Sequence, residues 1–144
     1  MRHPLYVAFV WHMHQPSYLD GHSDDMVLPW VRLHATKDYL HMVEVLEDYP
    51  GVHATFNIVP SMVGQLRAYV GGTLLDRAWK VSLRETLSDE DKRYIDSLFF
   101  SVNRDRFIRM YPRYDQLYRL REQANGDLDL LSDTYWRDLI AWFN

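Results

Sequence analysis

The chain contains no cysteine. That excludes a disulfide scaffold, a thiolate metal centre and a cysteine nucleophile together. It also lacks a long apolar run. The clearest one, Leu5 to Trp11, is interrupted by His12 and is too short for a signal peptide or a membrane span. The expected location is therefore cytoplasmic, with no membrane partner. Positive charge is not in excess: 16 Lys and Arg stand against 20 Asp and Glu, a net charge of −4. Nucleic acid and anionic lipid are thus not expected as partners. There is no Walker A loop, no dinucleotide fingerprint and no Gly-x-Ser-x-Gly elbow. Internal repeats and low-complexity tracts are absent as well.

What is present reads as globular. The 144 residues are 47% hydrophobic and 25% charged, enough for a core. The 10 Tyr, 6 Phe and 5 Trp point to a large core or to a cleft that stacks ligands on rings.

Residues 5–11 have the length of a strand polar on neither face, a pattern typical of strands buried on both sides. With period two, Leu5, Val7, Phe9 and Trp11 share one face, and Val10, His12 and His14 the other. Pro16 ends the strand, and residues 17–30 follow as a polar loop with Asp20, His22, Asp24 and Asp25. The acidic group there reads as solvated loop. Residues 32–49 are helical by spacing, stopped by Pro50-Gly51. Val52 to Val59 alternates as a second strand, and Ser61 is placed to cap a second helix ending at Gly71-Gly72. This strand–helix–strand order favours a parallel pair joined by a right-handed crossover.

From residue 73 the pattern is helical throughout. Helices are expected from Thr73 to Trp79, behind Ser88-Asp89-Glu90-Asp91, over Arg104 to Met110, from Tyr114 to Asn125-Gly126, and after Ser132. The fold class is α/β, two parallel strands followed by a mostly helical region, with subregions 1–72 and 73–144. The arginines between Arg104 and Arg121, interspersed with acids, read as a solvated helix surface. The chain stops within an amphipathic helix at Ile140–Asn144, which reads as a cut.

His12-x-His14 is the sharpest constellation. Two imidazoles at i, i+2 on a strand point the same way, and they suit metal binding, hydrogen bonds to hydroxyls, or proton transfer. They also suit plain packing at a strand end. Gln15 offers a donor and an acceptor beside them. Asn57 fits either a contribution to the same site or a turn before Pro60. Trp30 fits a stacking platform, whereas Trp11, on the opposite face of an ideal strand, fits the core.

Three blocks carry a resemblance: Val10–Pro16, Leu28–Tyr39 and Thr55–Ser61. In this order and spacing they resemble the N-terminal region of glycoside hydrolase family 57, whose members include α-amylases, amylopullulanases, 4-α-glucanotransferases and branching enzymes. The resemblance implies the N-terminal portion of an incomplete (β/α)7 barrel and an α-glucan or maltooligosaccharide substrate. It implies retention of anomeric configuration by a Glu nucleophile and an Asp acid/base, which match no residue in this chain. His12 and His14 match the family's first motif, whose histidines contact the sugar; with Gln15, Trp30 and Asn57 from the residue chemistry above, they are the substrate-binding candidates. No catalytic residue, metal or cofactor is expected in this chain, and the implied partner is the missing remainder of the barrel. Two other readings stay open: a metal-dependent hydrolase or deacetylase with His12 and His14 as ligands, and a non-catalytic carbohydrate-binding or degenerate module.

Overall fold

The computed structural model describes residues 3–21 and 25–144. His22 and Asp24, named in the sequence analysis, lie outside the described residues. The chain divides into two compact units, Met1–Arg77 and Ala78–Asn144.

The first unit is built on two short parallel strands. Strand β1 is Val10–Met13 and β2 is Thr55–Ile58. They pair in the register Val10↔Thr55, Trp11↔Phe56, His12↔Asn57 and Met13↔Ile58. Between them runs one helical segment in three parts: α1 (Trp30–His34), a π-helical stretch (Ala35–Tyr39) and α2 (Leu40–Glu47). After β2 comes α3 (Pro60–Val70). The expected α/β order is present.

The first strand differs from expectation in extent and in burial. Its ladder begins where the Thr55 N–H donates to the Phe9 carbonyl at 2.9 Å, and residues 5–9 lie outside it. Burial on both faces does not hold: Leu5 is 89% exposed and Val10 65%. A strand polar on neither face needs cover on both faces, and among the described residues β1 and β2 pair only with each other.

Ser61 does not cap α3. Pro60 occupies its first turn, where the missing N–H costs nothing, so Val59 becomes the capping position. The Ser61 hydroxyl instead donates to the Gln15 carbonyl at 2.6 Å. The loop after β1 is also less open than its composition suggests. Val27 N–H donates to Tyr18 O and Asp20 N–H to Asp25 O, each at 2.9 Å, and Met26 bridges to both Leu19 and Asp76.

The unit boundary falls after Arg77, whereas Gly71-Gly72 is where the helix stops. Residues 73–77 are tied back to the first unit. The fully buried Asp76 carboxylate accepts from Arg32 Nε at 2.8 Å and from the Tyr69 hydroxyl at 3.0 Å. The Arg77 N–H donates to the Met26 carbonyl. For the same reason the helix expected from Thr73 begins only at Arg77, as α4 (Arg77–Ser82). The Thr73 hydroxyl turns back to the Ala68 carbonyl rather than capping it.

The second unit is helical: α5 (Asp89–Leu98), a π-helical turn (Arg104–Ile108), α6 (Pro112–Ala124), a short 3-10 turn (Leu128–Leu130) and α7 (Asp133–Phe143). Ser88 and Asp91 form a reciprocal capping box, and Ser132 accepts from the Tyr135 N–H. Asn125 adopts the left-handed conformation (φ 48°) that closes α6. The core is aromatic. Phe99 stacks on Phe143 with centroids 3.8 Å apart, and Tyr114 stacks on Trp142 at 5.8 Å. Trp136, Leu139, Ile95, Ile108 and Leu117 are buried. The arginines of α6 and its approach pair with carboxylates, Arg121 with Asp96 at 2.6 Å and Arg109 with Asp105 at 2.7 Å.

Candidate functional site

The site forms where β1 ends. Met13 turns inward and is buried, so His12 projects to the other side of the pair, level with Asn57 on β2. His14 follows just past the strand. The two imidazoles stack with ring centroids 5.5 Å apart and planes 24° from parallel. Both residues are exposed, and neither ring is hydrogen-bonded among the described residues. They line an open cleft of about 490 Å³ together with Trp11, Gln15, His34, Asp38 and His41.

The segment leaving β1 is held from both sides. Gln15 is 8% exposed, and its amide Nε2 donates to the Tyr39 hydroxyl at 2.7 Å. Its Oε1 accepts from the Tyr18 hydroxyl at 2.8 Å. Burial, with Tyr39 nearby, raises the Tyr18 phenol above its ordinary value. Gln65 of α3 clamps the next residues: Nε2 donates to Pro16 O at 2.8 Å, and Oε1 accepts from Tyr18 N–H at 2.9 Å. Gln15 is therefore first a brace, with one N–H and one lone pair left over. Gln65 went unread in the sequence. Its one signal is a long polar side chain within the apolar stripe of Met62 and Leu66, where a buried amide must find partners.

The structure gathers some expected residues and not others. Trp30 is the first residue of α1 rather than part of the loop. It is half-buried, its ring lies 6.5 Å from that of His34, and it is not part of the cleft lining. Asn57 is exposed and shares a face with His12, but does not line the cleft. Trp11 is the correction: it is 52% exposed and lines the cleft instead of packing in a core. Among the described residues its cross-strand neighbour is Phe56, and β1 pairs with no strand other than β2, too little to bury an indole.

The helical wall supplies what the sequence reading missed: His34, Asp38 and His41. His34 immediately precedes the π-helical stretch and Asp38 lies within it, and π insertions within helices occur often at functional sites. The readable signal was the i, i+4 spacing of a His and an Asp on a helix, which places them on one face. His34 Nδ1 lies 2.5 Å from Asp38 Oδ2. The acidic loop residues Asp20 and Asp25 are not part of the cleft lining. Among the described residues, no group of three or more His, Asp or Glu side chains is arranged to hold a metal ion. Nothing here supplies the third ligand that a zinc reading of His12 and His14 requires. Among the described residues no helix is long and apolar enough to cross a membrane.

No curated protein and no solved structure matches the chain at a significant level. The family comparison is positive and agrees with the three sequence blocks: the family described as glycosyl hydrolase family 57 matches residues 8–140. The match spans nearly the whole chain, both units included, and the chain belongs to glycosyl hydrolase family 57.

Proposed function

We propose that this chain is the N-terminal part of a retaining, α-glucan-acting glycoside hydrolase or 4-α-glucanotransferase, and that it binds sugar without turning it over alone. The observation that carries the reading is the exposed, stacked pair His12 and His14 at the C-terminal end of a parallel strand, with no hydrogen-bonding partner for either ring among the described residues. In barrel enzymes that end of the strands is where substrate binds. Each imidazole offers a hydroxyl one donor and one acceptor. Asn57, level with His12, and the spare N–H and lone pair of Gln15 extend the polar surface.

Retaining glycoside chemistry needs two carboxyl groups about 5–5.5 Å apart across the bond. The cleft lining has one carboxylate, Asp38, and His34 holds it. The nucleophile and the acid/base must then come from further strands of an incomplete (β/α)7 barrel. The open edges of the β1–β2 pair are where such strands would add. The test is incubation of the purified chain with starch and with maltoheptaose. We expect saturable maltoheptaose binding that His14→Ala abolishes, and no release of reducing sugar. Turnover that His14→Ala abolishes would overturn the claim of inactivity. Absence of binding would overturn the substrate.

A further inference from the structure

We propose that His34, oriented by Asp38, is a second sugar-binding imidazole on the helical wall of the cleft, with Asp38 its positioning residue. This rests on the α-glucan reading of the same cleft and extends it from the strand end to the helical segment that also lines it.

The pair has little to offer stability. Its side chains are 43% and 37% exposed, and a pair that open to water contributes little to stability. Its geometry is nonetheless tightly specified. Asp38 Oδ2 sits 2.5 Å from His34 Nδ1. A carboxylate there accepts the Nδ1–H, so in the neutral ring Nε2 becomes an acceptor. The ring is also flanked by Trp30 at 6.5 Å and Tyr39 at 6.1 Å. Tyr39 in turn accepts from Gln15, the residue next to His14. One network therefore sets both the His14 segment and the His34 ring. The cleft then presents His12 and His14 from the strand end, and from the helical segment an imidazole whose Nε2 is an acceptor. Sugar hydroxyls, which both donate and accept, suit that division.

The test is two-bond proton–nitrogen NMR of the full chain labelled with nitrogen-15 in histidine, with and without maltoheptaose. We expect His34 in the Nδ1–H tautomer, and a return towards the Nε2–H form in Asp38→Asn. Ligand should move the ring signals of His12, His14 and His34 together. His34→Ala should weaken maltoheptaose binding about three- to tenfold, the effect of one hydrogen bond. If ligand moves His12 and His14 but not His34, and His34→Ala binds like the parent, the inference fails and the α-glucan reading stands. If no ring moves, both fail. An unchanged tautomer in Asp38→Asn overturns the role of Asp38.

Discussion

Trp11 in the first unit is 52% exposed, whereas Trp136 in the second is 1% exposed. The contrast extends to their neighbours. In the second unit Phe99, Phe143, Tyr114 and Trp142 stack on one another, and the Tyr114 hydroxyl donates to the Phe99 carbonyl. In the first, Val10, Ile58 and Val70 are exposed. An open apolar groove of about 640 Å³ runs there among β1, β2, α2 and α3, lined by Met13, Val43, Phe56 and Leu66. Buried apolar area stabilises by roughly 25 cal/mol per Å², so the second unit draws on its own core far more than the first does. The first unit relies on polar keystones instead: Asp76 with Arg32 and Tyr69, Gln15 with two tyrosines, and Gln65 with the chain leaving β1. The unit carrying the candidate site is the one whose apolar surface is least satisfied.

The contrast breaks if its largest consequence fails. Trp136→Ala should cost about 3–5 kcal/mol, measured by urea unfolding followed by circular dichroism. A loss below about 1 kcal/mol would mean that the aromatic core does not hold the second unit together. Gln15→Ala comes next, at about 1–3 kcal/mol, because it leaves two part-buried tyrosine hydroxyls without partners. Hydrogen exchange should quicken at the amides of Tyr18 and Val27. Protection equal to the parent would remove Gln15 as a keystone.

Asp91→Asn sharpens the second unit's side. Burial alone would raise the Asp91 carboxyl. Hydrogen bonds from Arg84 and from the Ser88 N–H and hydroxyl outweigh it and hold the group below its ordinary value. A lowered folded-state value means stability that is present above the unfolded carboxyl value near 4 and is lost as pH falls below it. The variant should lose about 1 kcal/mol at neutral pH through its weakened cap. It should also show a flatter acid limb than the parent in pH-dependent unfolding. Trp11→Ala should have the smallest effect on stability, within about 0.5 kcal/mol. A larger loss would show Trp11 to be buried in solution and would erase the contrast.

Much of the order of elements was legible in the sequence. The second strand pattern, the stops at Pro50-Gly51 and Asn125-Gly126, and the helix starts at Ser88 and Ser132 are where the structure has them, whereas β1 begins five residues later than its pattern. The same side chains also misled where competition was local. Ser61 and Thr73 look like caps, yet Pro60 and the anchoring of Asp76 redirected them to the Gln15 and Ala68 carbonyls. The site was half legible. The i, i+2 spacing of His12 and His14 on a strand marks them directly. Nothing local marks which helical residues will face them, and the π-helical stretch at Ala35–Tyr39 has no reliable sequence signature.

The sequence by itself determined the α/β order, the parallel-pair expectation, the paired imidazoles and the family blocks. Each depends on residues within one turn, one strand or one short motif. Tertiary structure decided which residues share the cleft. Gln15 meets Tyr39 across 24 positions, Arg32 meets Asp76 across 44, and Tyr18 meets Gln65 across 47. It also decided that Trp11 stays open, because exposure depends on what packs against a strand, and a strand's own pattern cannot supply the neighbour.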